Sequence, residues 1–245
     1  MDESAPEAVA TGEPERPLRL ELSAYGQLLR RIRDEGHQFV DFRRRADGVV
    51  LHHDVELSLS RALTMARLEA THRVHGTYCV PVDAALHDPS AVTFARTVQS
   101  ISRLGHEVGL QFDPAAHWDD DPGAASLLAE IEREREALGR LVGSEIEVVS
   151  FRRPTERLSR LELPDAINAC RDPAAPSYRA VDDRTLRGTE PFPDGVPERL
   201  RLVVHPGLWR PAAATEAAVV ETYRREAVAA VDAYFDAFDI PTPRR

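Results

Sequence analysis

The chain has 245 residues, 42% of them hydrophobic and 29% charged, a globular composition with enough length to bury a large core. Its formal charge of -10 argues against nonspecific nucleic-acid binding, which needs phosphates neutralised, and suits an anionic membrane surface poorly. All 31 basic residues are arginine, so a phosphate-loop lysine, a pyridoxal Schiff base and a lysine-dependent aldolase are excluded too.

Residues 1–17 are acidic and lack periodicity, and read as a disordered leader without a hydrophobic signal core. No apolar run reaches membrane-spanning length, so a cytoplasmic protein is expected, with residues 18–245 as one domain. Tyr25, Leu28, Leu29 and Ile32 recur at helical spacing, with Ser23 as N-cap and Gly36 as stop. An alternation then begins. "GVVLHH" reads as a strand, "SLSRALTMARLEATHRV" as a helix, and "HGTYCVPV" as a second strand. A helix opened by Asp88-Pro89 follows, then the strand "HEVGLQF", a helix closing on Gly143, and the strand "EIEVVSF". "PSYRAVDD" and "RLRLVVHP" read as later short strands before a long final helix. Strands alternating with amphipathic helices imply parallel β/α units, in a barrel or an open sheet.

In such folds the active site gathers at the carboxyl ends of the strands. Here the first strand ends in His52, His53, Asp54 and Glu56. The third runs to Gln111 and Asp113 with His117 soon after, and the fourth ends in Arg152 and Arg153. Later strands end in Asp182-Asp183 and in His205-Pro206. Charges scattered at random would fall mainly on helix surfaces. Blander roles suit other residues. His106 opens a strand on the opposite rim and reads as structural; Arg133 and Arg135 read as a charged helix face. Asp119, Asp120 and Asp121 read as a solvated loop, since no EF-hand spacing surrounds them. Cys79 and Cys170 fit no CxxC pattern, and Cys79 in its apolar run reads as a buried free thiol. Trp209 reads either as packing or as a pocket wall.

The segments "LHHDVELSLSRALTMARLEATHRVHGTYCV", "GHEVGLQFD", "SFRRP", "YRAVDD" and "LVVHPGLW" resemble, in order, the motifs of NodB-type polysaccharide deacetylases. The nearest branch is the one whose first motif reads Arg-His-Asp-Val-Asp. The resemblance spans roughly residues 48–210. It implies a distorted (β/α) barrel of about seven parallel strands. It also implies metal-assisted hydrolysis of an N-acetyl group on an amino sugar or related small molecule. A divalent ion such as zinc, cobalt or iron would polarise the carbonyl and activate water. Carried over, Asp54 matches the catalytic aspartate, Arg152 the arginine that orients it, Asp182 an acid of the fourth motif and His205 the general acid. Glu56 stands at the branch's second acid, and either carboxylate can be the metal ligand.

The departures are specific. Gln111 stands where the family has a histidine ligand, and Ala115 where a second ligand is expected; a glutamine amide is a weak zinc ligand. His52, His53 and His117 are the substitutes near in sequence, with Asp113 or His117 reachable by a register shift. Two readings follow. One is a metal-dependent amide hydrolase, with Asp54, Glu56, His53, Gln111 and His117 as the candidate metal shell and a soluble saccharide intermediate as substrate. The other is a non-catalytic saccharide-binding protein on the same barrel that has lost its metal site.

Overall fold

The computed structural model describes residues 19–43, 47–82, 92–171, 178–186, 188–211 and 215–236. The expected leader and the Asp88-Pro89 helix opening lie outside these residues. Among the described residues there are seven strands: β1 (Gly48–Asp54), β2 (Thr77–Val80), β3 (Glu107–Phe112), β4 (Val148–Phe151), β5 (Ile167–Asn168), β6 (Arg179–Asp182) and β7 (Arg199–Val204). They form one sheet in the order β5-β4-β3-β2-β1-β7-β6, with every ladder parallel. The near-continuous apolar runs of β1 to β4 have this cause: a parallel strand is covered on both faces and needs no polar alternation.

Among the described residues seven α-helices accompany the strands: α1 (Leu22–Asp34), α2 (Leu59–Thr71), α3 (Val92–Arg103), α4 (Ala124–Val142), α5 (Glu156–Arg160), α6 (Asp183–Leu186) and α7 (Glu216–Asp236). Two apolar clusters bind helices to the outer face of the sheet. One joins Tyr25, Leu29, Ile32 and Met65 to Val49 and Leu51 of β1 and to Leu200, Leu202 and Val204 of β7. The other joins Phe94, Val98, Ile131 and Leu138 to Tyr78, Val80, Leu110, Phe112 and Phe151. Since side chains alternate along a strand, these contacts fix which residues face inward. On β1 they are His52 and Asp54; on β2, Cys79; on β3, Gly109 and Gln111; on β4, Val148 and Ser150.

The sheet is strongly curled. In a flat sheet β1 and β4 would stand about 14 Å apart, three strand spacings. Instead, Ser150 Oγ on β4 donates a hydrogen bond to Asp54 Oδ1 on β1 at 2.9 Å. Arg201 on β7 likewise reaches the carbonyl of Ala169 just past β5. The expected distorted (β/α) barrel is therefore present as seven parallel strands around a concave face. Among the described residues β5 and β6 share no ladder, so the barrel has a seam between them.

Local signals held in most places. Ser58 caps α2 by accepting from the Arg61 amide, and Gly143 ends α4 in the left-handed region (φ 81°). Gly36 follows α1 at φ 89°. Ser23 does not cap α1. The N-cap lies two residues earlier, at Glu21, and the Leu22 amide is held by the Arg210 carbonyl at 2.9 Å. Arg135 is not on a charged surface either. It is buried and donates to the carbonyls of Ile146 and Asp165, tying α4 to the ends of two strand segments.

Candidate active site

Asp54 is the last residue of β1 and His205 follows the last residue of β7; His53 and Val204, just before them, are paired partners. The two side chains therefore leave neighbouring strands at one level. Asp54 is held by the Ser150 hydroxyl, and His52 Nε2 lies 3.2 Å from Asp54 Oδ1 as a charge contact. Burial alone would raise the Asp54 carboxyl. The nearby His52 and His205 rings and the Ser150 hydrogen bond outweigh it and hold the group below the usual carboxylate range. Asp54 is thus built to be ionised, as a proton acceptor must be.

His205 is oriented by Asp183, the first residue of α6, which is fully buried. Asp183 Oδ1 lies 2.7 Å from His205 Nδ1, while Oδ2 accepts from the His205 backbone amide (2.8 Å) and from Trp209 Nε1 (2.7 Å). With Nδ1 engaged, Nε2 is the nitrogen left for proton transfer. Burial disfavours a charged ring here. The Asp183 hydrogen bond and charge, with Asp54 and Asp182 adding, overcome that and raise the His205 pKa above the ordinary imidazole value. Trp209 thus packs, tilted against Tyr25 at 4.9 Å, and also anchors the acid that aims His205. Asp182, the residue expected from the fourth motif, is turned to Arg184 (2.6 and 2.9 Å) and stands 3.9 Å from His205 Nδ1. Its neighbour makes the closer contact because Asp182 ends a strand facing the surface while Asp183 starts the next helix pointing inward.

The candidate metal shell is dispersed. Asp54 and Gln111 share the concave face, and Gln111 is buried with neither amide atom hydrogen-bonded. His53, one residue out of phase with Asp54, faces the helices, where its Nε2 lies 2.9 Å from Glu69 Oε1 and its ring stacks on Tyr78. His117 is held by α4, with Nε2 2.7 Å from Glu134 Oε1 and its ring stacked on Phe112. Glu56 sits at the rim, 3.8 Å from Arg152 Nε. Arg152 pairs with Glu56 and Asp113 (3.4 Å), and Arg153 pairs with Asp113 as well. The group seen to hold Asp54 is Ser150, which sequence reasoning passed over.

The structure instead gathers a different donor set. A ring nitrogen of His52, a carboxylate oxygen of Asp54 and Cys79 Sγ lie within 4.8 Å of one another. Cys79 is the strand partner of Asp54, and Gly109, its partner on β3, leaves the room: a Cβ there would stand 2.9 Å from Cys79 Sγ. Imidazole, carboxylate and thiolate are the ligand types of a four-coordinate divalent ion with a fourth position open, so these residues fit one. The period-two alternation of β1 would have placed His52 rather than His53 beside Asp54; the pairing that brings Cys79 opposite had no signal in the sequence.

No protein-family model matches the chain, and no curated protein matches it. Solved structures do. A family 4 carbohydrate esterase from Streptomyces lividans in complex with acetate is similar at 16% identity and a TM-score of 0.46, over 74% of this chain and 87% of that one. The Streptococcus pyogenes deacetylase PplD in complex with acetate is similar at 13% identity and 0.43, over 53% of this chain and 61% of that one. A mutant of BA3943, a CE4 family pseudoenzyme with restored enzymatic activity, is similar at 10% and 0.43, over 75% and 64%. The chain thus spans less than two thirds of the length of two of these three. The likeness is one of chain path, and no activity follows from it.

Proposed function

We propose that this chain is a metal-assisted amide hydrolase that removes an N-acetyl group from an amino sugar or a related small molecule. The observation that carries this reading is the pairing of opposite proton roles on adjacent strands. Asp54 is held ionised by Ser150 and the flanking rings, and His205 is held ready to carry a proton by Asp183. Environments that push two titratable groups apart in this way assign an acid and a base. Asp54 would take the proton from the attacking water as its oxygen bonds to the acetyl carbon. His205 Nε2 would deliver a proton to the leaving amine nitrogen as the C–N bond breaks. A divalent ion on the concave-face donors around Asp54 would supply Lewis-acid polarisation of the amide carbonyl. The rim pairs of Arg152, Glu56 and Asp113 border this site and suit polar contacts to sugar hydroxyls.

The test is acetate release from a panel of N-acetylated amino sugars by the wild-type chain and by Asp54→Asn. The expected result is release by the wild type and a fall of about 10²- to 10⁴-fold in the variant, with little change in thermal midpoint. Equal release from both proteins would overturn the assignment of the base. A second reading, a saccharide-binding protein without catalysis, is favoured by two observations. Gln111 occupies a ligand position with an unpartnered amide, and the ion pairs of Arg152 are with Glu56 and Asp113 rather than with Asp54. Saccharide binding by the wild type with no acetate released would select it.

A further inference from the structure

Among the described residues, three groups of side chains are close enough to hold a metal ion: His52–Asp54–Cys79, His117–Glu130–Glu134 and Asp182–Asp183–His205. They differ in what already occupies their donors. In the second group both His117 nitrogens face carboxylates, and Arg133 is bound to Glu130. In the third, Asp183 already accepts from three donors and Asp182 is clamped by Arg184. In both groups the donor atoms that face one another are already engaged.

The first group is different. His52 is almost wholly buried; its Nε2 lies 3.2 Å from Asp54 Oδ1, while its Nδ1 has no partner among the described residues. A buried ring nitrogen without a partner forfeits its hydration for nothing, unless something else uses its lone pair. On β3, facing the same concave side, stands a second buried side chain with no hydrogen-bond partner among the described residues, the Gln111 amide. The Cys79 sulfur faces Asp54 across the β1–β2 ladder, and no Cβ on Gly109 crowds it. Phe42 closes the side of His52 by an edge-on contact at 5.5 Å, and Val148 and Ala169 pack around Cys79. A thiol, an imidazole and a carboxylate thus converge beside an apolar wall.

We propose that His52, Asp54 and Cys79 form a thiolate-containing metal seat that takes zinc-type ions. This set shares only Asp54 with the shell expected from sequence, and it rests on the hydrolase reading for the metal's role but not for its presence. A thiolate ligand selects zinc or cobalt(II) over the oxygen-preferring magnesium and manganese. Gln111, on the same concave face, is too weak a donor to anchor such an ion.

The test uses the full chain without a histidine tag, loaded with zinc or cobalt(II), dialysed, and read by metal analysis and by absorption. The expected result is near-stoichiometric retention of zinc and cobalt but not magnesium, and a thiolate-to-cobalt charge-transfer band in the near ultraviolet. Cys79→Ser should abolish the band and reduce retention at least tenfold, while Cys170→Ser and His117→Ala keep both. The band in the wild type needs no variant, so a misfolded Cys79→Ser leaves the test intact. No retained metal, retention without the band, or a band that survives Cys79→Ser would each overturn the proposal. Acetate release separates this from the hydrolase reading. Release without the band removes the ligand set and keeps the hydrolase. The band without release keeps the ligand set and removes the hydrolase.

Discussion

His52 and His53 are adjacent in the chain, and each meets a carboxylate, yet they belong to two different pieces of chemistry. His53 enters a sealed network on the helix side of β1, centred on Glu69 of α2. Tyr25 and Tyr78 donate to the two Glu69 oxygens at 2.5 and 2.9 Å, His53 Nε2 stands at 2.9 Å and His106 Nδ1 at 3.5 Å. Every member is buried, and the network joins α1, α2 and the first three strands. His52 faces the concave side, where Asp54 retains some exposure and where His52 Nδ1 and the Gln111 amide have no hydrogen-bond partner among the described residues. The contrast shows how to tell structural from chemical ionisable groups. A structural carboxylate is surrounded until its lone pairs are used; a chemical one is held by one or two groups and kept open on the side where reagents arrive.

The sharpest way to break this comparison is to remove Glu69. In Glu69→Ala two buried tyrosine hydroxyls and the neighbouring rings lose their shared acceptor, and the expected cost is about 3–5 kcal/mol in urea unfolding. Acetate release per folded molecule should stay near wild type, because the contacts of Glu69 among the described residues lie on the helix side of β1. The pH dependence carries a sign. Burial opposes the Glu69 charge, but His53, His106 and Tyr25 outweigh it and lower its pKa in the fold. Its stabilisation is therefore present above the unfolded carboxyl value and lost as pH falls through the lower folded value. Glu69→Ala should flatten that acid-side loss. A variant of full stability would mean that the network contributes nothing net.

Asp183→Asn acts on the concave side, with a smaller stability cost and a clearer chemical signature. One of the three donors that Asp183 satisfies would face an amide nitrogen, at about 1–3 kcal/mol. Because Asp183 raises the His205 pKa, and the acid must be protonated to act, release should decline as pH rises through that value. Without the carboxylate the decline should begin at lower pH. The stabilisation from His205 follows the same direction, present below its unfolded value and lost as pH rises through the folded one. An alkaline limb that does not move in the pH–rate profile would show that His205 is not the acid.

Much of this frame was legible in the chain. The apolar runs of β1 to β4, the helix stops at Gly36 and Gly143, and the concentration of ionisable residues at strand ends all came from local pattern and all appear in the fold. The two-residue β5 and the short α5 and α6 carry too little periodicity to be read. Within the site, what the sequence hid was facing and register. One residue of phase separates His53 from Asp54, and one residue of helix start separates Asp182 from the Asp183 that holds His205. Cys79 and Ser150 reach Asp54 only through strand pairing and sheet curl, which no local pattern encodes. His106, by contrast, was read correctly as structural: its Nδ1 accepts from the Gly76 amide, and its Nε2 lies 2.9 Å from the Ala66 carbonyl.

The smallest expected effect is the most specific to that curl. Ser150→Ala removes one methyl-sized hydroxyl and one hydrogen bond across two intervening strands, at about 1 kcal/mol. The Ser150 donor is one of the influences holding Asp54 below the usual carboxylate range, so its loss should raise the Asp54 pKa. A base must be ionised to act; the acid limb of the pH–rate profile should therefore move to higher pH, opposite in direction to the shift expected from Asp183→Asn. Stability should change in step, because the contribution of Asp54 is present above its unfolded value and lost as pH falls through the folded one. Two single substitutions that narrow the active pH range from opposite sides would locate the base on β1 and the acid after β7. If Ser150→Ala leaves the acid limb in place, the hydroxyl only packs, and the ionised state of Asp54 depends on the rings of His52 and His205 alone.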